Sequence, residues 1–170
     1  MHNNNSELIT WSNTFSCGIK IIDDQHKELV DMVNEMFKHV TGSEKEEYDY
    51  LSKVINKIVS YIKIHFATEE RLMRFTKFEG FDEHKREHDN FLLTVVENIL
   101  AYRSREHFTL LSFTKYLKDW ILSHTAVTDK KYFDHFKSLA TRKANGKLTI
   151  NSSDVKHKED TGFLIAAAGA

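Results

Sequence analysis

The sequence has no proline in 170 residues and a single cysteine, Cys17. Without proline nothing forces a helix to break, so long uninterrupted helices are open to this chain. One cysteine excludes an intramolecular disulfide framework and suits a reducing cytosol, so a cytoplasmic location is expected. Neither sign of charge is in excess: 24 Lys plus Arg face 25 Asp plus Glu, for a net charge of −1. That balance gives no electrostatic footprint for nucleic acid or an anionic membrane, and neither is expected as a partner. No apolar run is long enough to cross a bilayer, since the "FLIAAA" over 163–168 is far too short. The opening "MHNNNSELIT" lacks both a basic region and an apolar run, so no secretory leader is expected. Glycine is also scarce, and none of the six interrupts a periodic segment. Glycine here acts as punctuation between helices.

What the chain has instead is four helical patterns and ten histidines. The first helix runs from about Asp23 to Val40 along Leu29, Val33, Met36 and Val40, with His26 on the same stripe and Asp23 or Asp24 as cap. Gly42 ends it, and Ser43 with Glu46 has capping-box spacing. The second runs from about Glu44 to Lys77. Its seam is Leu51, Ile55, Ile58, Ile62, His65, Glu69 and Leu72, stepping alternately by four and three. The third, with Asp82 as expected cap, carries His84, His88, Phe91 or Leu92, Val95 and Ile99. The fourth begins near Thr109 and carries Phe113, Leu117, Trp120, His124 and Phe133. No strand pattern and no internal repeat is evident. The expected architecture is all-α, an up-down-up-down four-helix bundle over residues 23–141, with an N-terminal arm over 1–22 and a flexible C-terminal tail over 142–170.

Every helix interrupts its apolar stripe with polar residues of metal-ligand type. These are His26 on the first, His65 and Glu69 on the second, His84 and His88 on the third, and His124 with Asp129 on the fourth. An H-x-x-x-H pair alone is weak, because ten histidines in this length give about 0.6 such pairs by chance. The set is stronger than its parts. Burying five imidazoles and two carboxylates separately would need seven hydrogen-bonding solutions, and one metal centre satisfies them together. The positions run early, late, early, late along the four helices, so an antiparallel bundle gathers all seven at one end. Seven donors exceed one tetrahedral zinc. Two carboxylates each bridging two ions, with five terminal imidazoles, describe a dinuclear site. His124 and Asp129 are five apart, about 140° around an ideal helix, so a π-type widening is expected between them. His2, His39, His107, His135 and His157 lie off this constellation and are expected at the surface.

These motifs resemble those of the bacterial hemerythrins. "WSNTFSCGIKIIDDQHKEL" resembles the family's N-terminal arm and first ligand, and "HFATEE", "HKREH" and "HTAVTDKKYF" resemble its H-x-x-x-E, H-x-x-x-H and H-x-x-x-x-D motifs, from about Trp11 to Phe136. The resemblance implies a non-haem di-iron centre with a bridging oxo or hydroxo group. In it, His84, His88 and His124 would hold one iron, His26 and His65 the other, and Glu69 and Asp129 would bridge. It further implies reversible O₂ binding, for carriage, storage or sensing, rather than enzymatic turnover, with NO or peroxide as other ligands. A dry pocket would be lined by Phe66, Trp120, Ile121 and Leu29. The expected state is a monomer or weak oligomer, and a sensor role would require a protein partner. Thr125 stands where the family usually has isoleucine. A hydroxyl facing the pocket there favours the alternative function, an oxidase, peroxidase or nitric-oxide-reactive centre using the same irons. Cys17 likewise occupies a position where an aliphatic residue is expected.

Overall fold

The computed structural model describes residues 7–105 and 108–144, with side chains up to residue 139. Beyond a 3₁₀ turn at Asn13–Phe15, the helices are α1 (Lys20–Lys38), α2 (Glu44–Phe75), α3 (Phe81–Ser104), α4 (Leu110–Ser123) and α5 (Asp129–Ala144). A π turn, His124–Thr128, joins α4 to α5 as one rod, so the architecture is a four-helix bundle. The expected tail falls, past residue 144, outside the described residues. No helix among the described residues is long and apolar enough to cross a membrane.

The stripes read from the sequence are the buried faces, with Val40, Ile99 and Trp120 only partly buried at their edges. Leu29, Val33 and Met36 of α1, Leu51, Ile55, Ile58 and Ile62 of α2, Phe91 and Val95 of α3, and Phe113, Leu117 and Ile121 of α4 form one cluster. A smaller cluster at the other side of the polar residues joins Cys17, Ile19, Ile22, Leu72, Met73, Tyr132 and Phe133. The site is therefore packed between two apolar bodies. Cys17 is buried where an aliphatic residue is expected, its sulfur also accepts from Ile19 N at 3.3 Å, and burial pushes its thiol far above the usual range.

Two expected caps are corrected, and at α2 the Ser43 cap stands while its partner changes. The α1 helix starts at Lys20, three residues before Asp23, with Ile19 at the cap and no side-chain cap bond. Asp23 sits inside the first turn and turns back onto the preceding loop, accepting from Ser16 Oγ at 2.7 Å, Cys17 N at 2.7 Å and Gly18 N at 3.1 Å. Partial burial alone would raise its pKa, and these donors outweigh it and hold the carboxyl below its ordinary value. At α2, Ser43 accepts from Glu46 N at 3.5 Å as expected, but the returning carboxylate is Glu47, which accepts from Thr41 N and Gly42 N at 3.1 and 2.9 Å. Gly42 itself has φ of +79°, the left-handed region that suits glycine. At α3, Gly80 is the cap, and Asp82 lies in the first turn, where a carboxylate suits the helix dipole.

Asn34 of α1 ties the N-terminal arm to the bundle. Its Oδ1 accepts from Ile9 N at 2.9 Å, and its Nδ2 donates to Ile9 O at 2.8 Å, in a buried two-point clamp. Asn34→Ala leaves both backbone groups buried and unpaired, which costs about 1–3 kcal/mol. The expected result is a lower calorimetric unfolding temperature together with protease cleavage ahead of Lys20. An unchanged digestion pattern would refute this role for the clamp.

Candidate metal centre

The antiparallel rods bring all seven predicted residues to one level. His26, His65, Glu69, His84, His88, His124 and Asp129 are all buried. The rings present their Nε2 atoms toward two carboxylates. Glu69 Oε1 faces His26 at 3.6 Å, and its Oε2 faces His88 at 3.3 Å and His65 and His84 at 3.7 Å each. Asp129 Oδ1 faces His124 at 3.1 Å and His84 at 3.5 Å, while its Oδ2 faces His26 at 3.3 Å. Two groups of convergent donor atoms result, Glu69 with His84, His88 and His124, and Glu69 with His26 and His65.

The π turn is what admits Asp129 to this set. The Asp129 N–H donates to His124 O, five residues back, so the widened turn absorbs one residue between them. His124 and Asp129 thereby both face inward, as the five-residue spacing demanded.

The ring tautomers follow from what lies behind them. Thr68 Oγ1 donates to Ile64 O at 2.8 Å and accepts from Gln25 Nε2 at 3.2 Å, which turns Gln25 Oε1 toward His65 Nδ1 at 3.2 Å. His65 Nδ1 must then carry the proton, and its Nε2 lone pair points inward. Glu70 Oε1 imposes the same order on His88, 3.4 Å from its Nδ1, while Glu87 Oε2 stands 3.3 Å from His124 Nδ1 as a charge behind the ring, without hydrogen-bond geometry. Glu87 is fixed in turn by Thr128 Oγ1, which donates to it at 2.9 Å. His88 Nε2 then lies 3.1 Å from His84 Nε2 and 3.0 Å from His124 Nε2. Ring nitrogens converging this closely, with anions beside them, are a donor set that a cation gathers.

The carboxylates make the same case. All four oxygens of Glu69 and Asp129 are buried without a hydrogen-bond partner among the described residues. Their contacts to imidazole are longer than the roughly 2.7–2.9 Å of a good charge-assisted bond. Burial would raise the Glu69 pKa, and the surrounding imidazoles pull it well below the ordinary carboxylate value instead. Asp129 is lowered too: burial and Glu69 oppose this, and His124 and His26 prevail. Burial holds His65 down to about 4, hence neutral. Burial also disfavours charge on His26, but Asp129 and Glu69 raise it to about 9. Two buried anions thus demand compensating positive charge, and the chain's residues fit a metal centre.

Of the expected pocket residues, Phe66, Trp120 and Ile121, with Leu29, line an apolar cavity closed further by Ile62, Phe91 and Leu117. Phe66 stacks on His88 at 3.7 Å, and Trp120 stacks on His124 at 4.1 Å. Thr125 is buried, but it is not among the residues lining that cavity, and its hydroxyl donates to Ile121 O at 2.8 Å. Its one proton is spent within its own helix, so it offers the cavity no donor. Two histidines expected at the surface are half-buried. His39 stacks on Tyr50 at 3.7 Å, and His135 Nε2 lies 2.8 Å from Thr76 O.

Sequence reasoning missed Gln25, Glu70 and Glu87. Each directly adjoins a candidate ligand (Gln25–His26, Glu69–Glu70, Glu87–His88), yet serves a ring on another helix, so spacing alone did not single them out. The rule that a ligating imidazole needs an acceptor behind it was the available signal. Glu87→Ala is expected to weaken metal retention by roughly 10–100-fold. Competition against a chelator checks this, and an unchanged affinity would remove Glu87 from the site.

Comparison with known proteins agrees with this geometry. Residues 17–136 match the family described as Hemerythrin HHE cation binding domain. The chain is 30% identical over 131 residues to a bacteriohemerythrin of Stenotrophomonas maltophilia, covering 77% of this chain and 83% of that one. It is 28% identical over 126 residues to a myohemerythrin of Theromyzon tessulatum, covering 74% and 92%. The crystal structure of a wild-type hemerythrin superposes with a TM-score of 0.66 at 29% identity, covering 75% of this chain and 96% of that one.

Proposed function

The chain belongs to the hemerythrin HHE cation-binding family, and on that premise we propose that its buried cluster holds two iron ions and binds O₂ reversibly, as carrier, store or sensor. The observation that carries this reading is the division of the carboxylate oxygens. Asp129 turns Oδ1 to His84 and His124 and Oδ2 to His26. Glu69 turns Oε1 to His26 and Oε2 to His65, His84 and His88. Both carboxylates thus span a three-imidazole group and a two-imidazole group. His84, His88 and His124 would hold one iron, His26 and His65 the other, with Glu69, Asp129 and an oxo or hydroxo group between them. The iron pair would supply the redox capacity for O₂ binding.

The chain's own residues do the rest. Gln25 and Glu70 hold the rings of His65 and His88 in their inward tautomers, and Glu87 sets its charge behind His124. The two carboxylates balance the cation charge where water is excluded. Phe66 and Trp120 cover the His88 and His124 faces, and the apolar cavity beside them offers neither donor nor acceptor from Thr125. A dry wall of this kind slows proton and water access, which favours release of O₂ over irreversible oxidation.

The test is anaerobic reduction of the purified protein, an iron count, and visible spectra as O₂ is admitted and removed. Two irons per chain with a charge-transfer band that appears and fades on cycling is the expected result. Two irons that pass irreversibly to the ferric form would replace O₂ carriage by redox or nitric-oxide chemistry. Absence of iron would overturn both.

A further inference from the structure

We propose that α3 is also a self-association surface, on which a second copy of this chain docks its own α3 antiparallel about a two-fold axis at Val96. The outer face of α3 leaves large aliphatic side chains in solvent: Leu93 is 63% exposed, Val96 50% and Leu100 58%. They are spaced three and four apart, the seam of a helix pair. Asp89, which also accepts from Lys85 Nζ at 2.7 and 2.9 Å one turn earlier, and Arg103 are exposed and extend the same stripe at either end. At 3.6 residues per turn the five positions fall within an arc of about 80°. That arc points away from the face carrying His84, His88, Phe91 and Val95, which is buried in the bundle.

The charges at the ends of the stripe select the occupant and its direction. Asp89 and Arg103 stand seven residues before and seven after Val96. An antiparallel copy centred on Val96 sets Asp89 opposite the partner's Arg103, and by symmetry Arg103 opposite the partner's Asp89. Two ion pairs then flank six aliphatic side chains in a self-complementary contact. A parallel copy would oppose Asp89 to Asp89 and Arg103 to Arg103, which like-charge repulsion disfavours. Three aliphatic side chains, each half to two-thirds exposed, make a patch smaller than the roughly 800 Å² per partner of a standard stable interface. The association is therefore weak and concentration-dependent.

Sedimentation of the full-length, iron-loaded protein tests this. The weight-average mass is expected to rise from near the 19.9 kDa of one chain toward twice that as concentration goes from about 10 μM to about 1 mM. Leu93→Glu or Arg103→Asp should weaken association roughly tenfold or more, and the swap Asp89→Arg with Arg103→Asp should restore it. Val96→Cys should form a disulfide-linked dimer under mild oxidation. Arg103→Cys should not, because its two copies would lie about 21 Å apart along the axis. Iron content and helical circular dichroism identify any variant that fails to fold. A monomeric mass across the whole range would overturn the proposal and leave the stripe to another occupant. So would association indifferent to the charge variants, or equal cross-linking at 96 and 103.

Discussion

Glu69→Ala is expected to take the protein from the proposed pair of metal ions per chain to one or none. Like Asp129 it faces both imidazole groups, its Oε1 toward His26 and its Oε2 toward His65, His84 and His88, and among the described residues it alone belongs to both clusters of convergent donors. Loss of residues that merely support a ligand already lowers affinity roughly 10–100-fold, and loss of a ligand shared by two ions should exceed that. The consequence for stability is as large. A ligand that binds only the folded state at 1,000 times its Kd adds about 4.1 kcal/mol. For a chain of this size that is on the order of 10 °C in Tm. Wild-type protein should therefore gain about that much on metal loading, and Glu69→Ala should lose most of the gain. The metal-free forms should differ far less, because the substitution also removes a buried anion that only imidazoles oppose there. Glu69→Gln, isosteric but uncharged, should fall between. Metal analysis with calorimetry on loaded and chelated samples checks all three. Two tightly held ions in Glu69→Ala would refute the shared-carboxylate arrangement.

The parts of this molecule that were legible in the sequence are those governed by periodicity. The α2 seam from Leu51 to Leu72 is buried at every position named from its four-three spacing, the two polar ones included. The gathering of seven donors at one level follows from helix order and antiparallel packing. Even the π turn was legible, because His124 and Asp129 at a separation of five cannot both face inward from a regular helix. What was not legible depends on a single side chain choosing among several nearby backbone donors. Asp23 turned back to the loop at Ser16–Gly18 instead of capping α1, and Glu47 rather than Glu46 closed the loop before α2. Thr125 shows the limit most clearly. Its identity raised the prospect of a pocket donor, and only its rotamer, with the hydroxyl on Ile121 O, removed it.

Deleting Val127 is expected to leave fold and metal content intact, while deleting Lys118, nine residues earlier, should abolish both. A π turn is an α-helix that has taken in one extra residue. Val127 lies within that turn and is exposed, packing against nothing that its removal would empty. Its deletion brings His124 and the aspartate to a spacing of four, about 40° apart on a regular helix, so both still face inward. The downstream rod keeps its register, and Tyr132 and Phe133 remain in their cluster with Ile22 and Leu72. Lys118 sits within the regular turns of α4, where no slack exists. Removing it rotates everything after it by about 100° against everything before it. Either Leu117 and its predecessors or His124, Asp129, Tyr132 and Phe133 must then leave the core. Burying charge and exposing such side chains at once exceeds the roughly 5–15 kcal/mol that holds an ordinary domain together. Iron stoichiometry and far-ultraviolet circular dichroism on the two deletions decide it. Loss of metal in the Val127 deletion, with helix content preserved, would show that the widened turn sets the ligand distances and does more than absorb an extra residue.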